Sequence, residues 1–65
     1  MLKNSSYVIE RAIALFEGDT NQAQKWLSEP NRALNWKTPT EKLSSQSGID
    51  EVLRLIVKIE HGIYP

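Results

Sequence analysis

Sixty-five residues with eight Lys and Arg against eight Asp and Glu, one His and no Cys set one domain as the upper limit and leave no disulfide or thiolate chemistry. A chain this short buries little apolar surface against the conformational entropy it must offset. With disulfides and metals poorly supplied, association with another chain is the expected supplement.

The zero net charge, with its cations scattered along the chain, weighs against a phosphate-neutralising surface. The longest apolar run, Ala12 to Phe16, falls far short of the roughly 20 residues that cross a membrane. The start, Met1-Leu2-Lys3-Asn4-Ser5-Ser6, has no apolar stretch of signal-peptide length. A soluble cytoplasmic protein is expected, and the absence of cysteine is compatible with that compartment.

From Ser6 to Glu17, Val8, Ile9, Ala12, Ile13, Leu15 and Phe16 recur at spacings of three and four, which predicts a helix over residues 6–17. Ser5 or Ser6 can cap it, and Gly18 offers the left-handed stop. Asp19, with Gln22 in capping-box spacing, opens a second helix over residues 20–28 with Ala23, Trp26 and Leu27 facing inward; Pro30 ends it. Residues 30–37 show neither helical nor strand period yet hold Leu34 and Trp36, so they read as a packed connection.

Thr38-Pro39-Thr40-Glu41 combines a hydroxyl cap, a proline at the first helical position and a Glu able to reach back, predicting a third helix over residues 39–45. Ser47-Gly48-Ile49-Asp50 repeats the cap spacing and opens a fourth over residues 48–61. Ile49, Val52, Leu53, Leu55, Ile56, Val57 and Ile59 cover more than one side of that helix, so it is either central to the domain or also meets another molecule. Gly62 stops it. With no repeat and no strand-like alternation, the fold class is all-α, a small four-helix domain over residues 1–65.

Groups able to do chemistry are scarce. His61 has no second His and no Cys to complete a metal site, and near a helix C-terminus it suits exposed carbonyls. Glu10 and Glu17 lie two turns apart on a wet surface, and Asp50 and Glu51 fit an acidic first turn of the fourth helix. Glycines at 18, 48 and 62 form no phosphate-cradling loop, so no cofactor is expected and the protein is read as not an enzyme. Trp26, in register with Ala23 and Leu27, is assigned to the core. Trp36 either lids the core or contacts a partner. Arg54 and Lys58, four apart, form a basic strip beside Glu51, whose plain reading is a solvated face with a Glu51/Arg54 pair.

Two functions from different classes fit this pattern. A short helix, a turn with glycine and a longer helix outline a helix-turn-helix DNA-binding regulator. Asp50 and Glu51, at the end such a helix presents to bases, repel DNA and disfavour it.

The second reading is a protein-interaction module. From Ala12 to Tyr64 the chain resembles the toxin-binding domain of the Xre/MbcA/ParS antitoxins. The stretches that carry the likeness are Leu15-Phe16 with Gly18-Asp19, Ala23 with Trp26-Leu27, Pro30-Asn31, Ala33-Leu34, Thr38-Pro39, Leu43, Gly48, Val52, Leu55 and Ile59-Glu60-His61-Gly62.

That resemblance implies an antitoxin domain that binds and blocks a RES-type toxin, an enzyme that attacks NAD or transfers ADP-ribose, with the chain's end in the toxin's active-site cleft. Carried onto this sequence, it implicates Glu60, His61, Gly62, Ile63, Tyr64 and Pro65, with Arg54 and Lys58 as flanking contacts. Tyr64 and Ile63 would serve as anchors and the terminal carboxylate would suit a site adapted to an anionic cofactor. A short tail held by a capped helix also loses less entropy on docking than a loose peptide.

The chain departs from the family pattern at Asn35-Trp36, where a Gly-Gly pair is usual, and at Ser44, where a second Leu is usual. At the first of these the loop must follow another path or tolerate bulk. Seven residues before Val8 do not hold the DNA-binding helix-turn-helix that members often carry, so a stand-alone toxin-binding domain or one excised from a longer chain is expected. The partners expected are the cognate toxin and a second copy of the chain, with no nucleic acid bound through this domain and no membrane.

Overall fold

A computed structural model describes residues 4–62. It contains α1 (Ser5–Leu15), α2 (Thr20–Ser28), a 3-10 turn (Arg32–Leu34), α3 (Pro39–Lys42) and α4 (Gln46–Glu60). The four expected helices are present, and α4 is the hub: it packs against α1, α3 and the 3-10 turn, while α2 packs against α1 and α3. Ile49, Val52, Leu53, Leu55 and Ile56 of α4 are buried with Val8, Ala12, Ala23, Leu27 and Leu34. The breadth of the apolar face of α4 is thus accounted for by its central place. Ile9, Trp36 and Val57 are the exposed large hydrophobics among the described residues, and they sit on three different elements.

Helix starts follow side-chain caps, though two of them differ from expectation. The cap of α1 is Asn4, whose Oδ1 accepts the Tyr7 N–H at 2.9 Å, so Ser5 and Ser6 lie inside the helix. Asn and Ser rank alike as caps, so residue type does not favour Ser5 or Ser6 over the Asn before them. Asp19 caps α2 as expected, its Oδ1 accepting the Gln22 N–H at 3.1 Å.

Thr38 and Glu41 complete the expected box. The Thr38 N–H donates to Glu41 Oε2 at 2.7 Å, and the Glu41 N–H donates to Thr38 Oγ1 at 3.1 Å. The Thr40 hydroxyl donates to the Leu27 carbonyl at 2.8 Å, tying α3 to the end of α2.

Helix α3 ends at Lys42 rather than residue 45, because Ser45 caps the next helix by accepting the Gly48 N–H at 3.1 Å. Helix α4 therefore begins at Gln46, two residues before the expected start. The Ser47-x-x-Asp50 spacing is not its cap, and Asp50 and Glu51 fall beyond its first turn. Gly48 is where α4 leans on α3: a Cβ there would overlap the Lys42 carbonyl.

Helix α1 ends in a paired motif, with the Glu17 N–H donating to Ala14 O at 3.0 Å and the Gly18 N–H to Ile13 O at 2.9 Å. Glu17 rather than Gly18 takes the first left-handed position, at φ 56°. In the connection after Pro30, Leu34 plugs the core and Trp36 stands 67% exposed. The loop is closed by hydrogen bonds from Asn31 N–H to Lys37 O at 3.0 Å and from Trp36 N–H to Asn31 O at 2.9 Å. Asn35 and Trp36 are both left-handed, at φ 58° and 66°. The loop therefore keeps a path that glycine follows most easily and accommodates the bulk by turning the indole outward.

Candidate partner-binding surface

Helix α4 presents an exposed stripe opposite its buried face. Arg54 and Lys58 lie one turn apart, and His61 and Gly62 follow one turn on, a spacing that stacks them along one side. Arg54 and Lys58 line open grooves on both flanks of this ridge. One groove, of about 420 Å³, has Arg11, Leu53 and Val57 in its walls. The other, of about 190 Å³, has Ala33 and Leu34 of the 3-10 turn opposite Glu51 and Leu55. Neither cation forms an ion pair among the described residues. Glu51, expected beside Arg54, instead meets Lys42 of α3 at 2.7 Å.

The end of α4 is fixed from two sides. The His61 N–H donates to Val57 O at 3.1 Å and Lys58 O at 3.2 Å, and the Gly62 N–H donates to Ile59 O at 2.9 Å. Gly62 is left-handed at φ 79° with nothing near its Cα face. From α1, Arg11 donates to Glu60 Oε1 at 2.7 Å and to the Tyr7 hydroxyl at 2.9 Å. Its guanidinium also lies 5.8 Å from the Tyr7 ring centroid. The Tyr7 and Glu60 hydrogen bonds hold the Arg11 pKa above even its usual value, so the brace stays cationic at any working pH.

Glu60 is thereby a strut within the domain as well as a surface carboxylate. Sequence reasoning missed Arg11, since its partner lies 49 residues away and no local spacing signals the pair.

A third groove, of about 650 Å³, opens beside this strut between Leu15, Phe16, Trp26 and Ile59. Trp26 is half-buried there, its ring 6.4 Å from that of Phe16 at 55°. It packs against the core, as its register implied. Arg54, Lys58, Glu60, His61 and Gly62 are thus gathered on the outer side and end of one helix, while Ile63, Tyr64 and Pro65 lie outside the described residues. At the opposite end of α4, Gly48 and Ile49 are buried. No group of three His, Cys, Asp or Glu able to hold a metal occurs among the described residues, and none of their helices is long and apolar enough to cross a membrane.

Comparison with known proteins places the chain among relatives. Three antitoxins named Xre are similar to the chain. That of Photorhabdus laumondii is 43% identical over 56 residues, covering 86% of this chain and 38% of the relative. That of Yersinia enterocolitica is 37% identical over 57 residues, covering 88% and 38%. That of Pseudomonas putida is 31% identical over 61 residues, covering 94% and 38%. The chain therefore spans well under half the length of these relatives. No solved structure matches it. Residues 11–62 match the antitoxin Xre/MbcA/ParS C-terminal toxin-binding domain, and the chain belongs to that family.

Proposed function

We propose that this antitoxin domain neutralises a RES-type toxin, one that consumes NAD or transfers ADP-ribose, by seating the end of α4 and the residues after it in the toxin's active site. The observation that carries this reading is the braced terminus: Arg11 holds Glu60 while Gly62 turns the chain off the helix axis. A segment that leaves a braced helix end docks with less loss of entropy than one on a loose tail.

In this reading His61 and Gly62 enter the cleft with Ile63, Tyr64 and Pro65, Glu60 sets their direction, and Arg54 and Lys58 grip the rim. The domain is non-catalytic, needs no cofactor, works in the cytoplasm and contacts no nucleic acid. In this reading the domain also pairs with a second copy through exposed apolar side chains such as Ile9 and Val57. Strictly monomeric sedimentation at high concentration removes that part.

Deleting residues 62–65 tests the central claim. Helicity should persist, because every core residue among the described residues precedes the cut, and protection of cells expressing the toxin should be lost. Full protection by the truncated chain would refute active-site blocking by this end.

A further inference from the structure

Among the described residues, the loop of residues 31–37 holds the most exposed large apolar side chain on some of the least comfortable backbone. Trp36 is 67% exposed, yet both it and Asn35 are held at positive φ, where a side chain crowds the following carbonyl. Neither residue is left to drift. The Asn35 N–H donates to Arg32 O at 3.2 Å, the Trp36 N–H to Asn31 O at 2.9 Å and the Lys37 N–H to Leu34 O at 3.1 Å. The Asn31 side chain accepts the Ala33 N–H at 2.9 Å, and Leu34 anchors the turn in the core. The indole therefore projects from a rigid base, and it brings the fold little burial in return for the strain. Local strain retained at an exposed aromatic points to a contact outside the chain.

The surroundings say what kind of contact. Ala33 and Leu34, at the base of the loop, form one wall of the groove whose other wall carries Arg54 and Lys58. Arg32 and Lys37 flank the loop itself. None of these four cations is in an ion pair among the described residues, and Glu51, the acid in that groove, is taken by Lys42.

We propose that Trp36, on a loop remote in sequence from the end of α4, adds a second contact with the toxin that extends from this basic groove, the indole entering an apolar slot within an acidic patch. The proposal rests on the toxin-binding reading above. It differs in adding an anchor that needs no residue beyond Lys58.

The test is calorimetric titration of the purified toxin, the product of the reading frame beside this protein's gene, into the wild-type chain, Trp36→Gly and Arg54→Ala/Lys58→Ala. Glycine at position 36 relieves the positive φ, so the melting temperature should hold or rise. Affinity should meanwhile fall on the order of tenfold or more, as for a buried aromatic anchor. The double alanine variant should bind more weakly and lose part of the salt dependence seen with the wild type.

Wild-type affinity in Trp36→Gly would overturn this contact while leaving the toxin reading standing. A lowered melting temperature in that variant would make Trp36 a structural residue and also overturn it. No binding by the wild-type chain would remove the toxin reading and this contact together.

Discussion

Gly48 and Gly62 lie near opposite ends of α4 and are glycine for opposite reasons. At Gly48 the backbone is ordinary helix, but the Lys42 carbonyl occupies the place of a side chain. At Gly62 the space is open, and the constraint is the positive φ of 79° that takes the chain off the helix. The start of α4 is therefore a packing joint, sealed against α3 with Ile49 buried beside it, whereas its end is a turn presented to solvent and braced by one ion pair. A single helix thus divides its work. Its first turns and inward face hold the domain together, and its last turn and outward stripe are left largely exposed.

The same substitution made at both ends should separate these roles. Gly48→Ala forces a main-chain shift where α3 meets α4, and overpacking of that kind costs about 1–3 kcal/mol, with more when backbone must move. In a domain of this size that lowers the melting temperature by roughly 5–20 °C. Gly62→Ala meets no atoms and carries only the left-handed penalty, about 1 kcal/mol, confined to the last turn. Thermal melts followed by circular dichroism give the ranking. Equal losses at the two sites would mean that the start of α4 is not seated as described.

A smaller effect is expected at the brace. Arg11 and Glu60 have side chains about one-third exposed, at 31% and 33%, so water and salt screen their attraction. A double-mutant cycle with Arg11→Ala and Glu60→Ala should give a coupling of about 0.2–1 kcal/mol that shrinks as salt is raised. If Glu60 directs the residues that follow it, as proposed above, protection against the toxin should suffer more than stability in Arg11→Ala. A variant that protects fully despite losing the pair would leave Glu60 an ordinary surface carboxylate.

Sequence reading succeeded where the signal was local. The Thr38–Glu41 box, the Asp19 cap and the inward residues of α4 each depend on neighbours within four positions, and all three stand in the structure. It slipped where equivalent residues competed. Asn4, Ser5 and Ser6 are interchangeable as caps, as are Ser45 and Ser47, and a two-residue error in the start of α4 displaced Asp50 and Glu51 from its first turn.

Glu17 in the left-handed position ahead of Gly18 has a related origin: the hydrogen bonds to Ala14 and Ile13 fix which residue turns, and composition alone does not. Contacts made across the fold were illegible. Nothing in the run around Glu60 names Arg11, and nothing near Glu51 prefers Lys42 over Arg54. The end of the candidate surface was marked by its Gly and His. The exposure of Trp36 was a choice between two outcomes that only the path of the loop decides.

The finest test lies at α3, whose far end receives Gly48. Glu41 accepts from the Thr38 backbone N–H, and that bond, followed by one with the Thr38 hydroxyl and the nearby Lys37 charge, holds its carboxyl below the ordinary range. A group whose pKa is lower folded than unfolded contributes stability above the unfolded value and loses it as pH falls through the folded one. The start of α3 should accordingly loosen on acidification, below the range where a free Glu titrates. The Thr38 amide, which donates to that carboxylate, should show the change first in hydrogen exchange. Glu41→Gln keeps an acceptor that can reach back but does not titrate, so its Thr38 amide should be less protected at neutral pH and insensitive to the same acid step. A Thr38 amide that responds to acid equally in both proteins would place the titrating group elsewhere and detach the Glu41 carboxylate from the seating of α3 beneath α4.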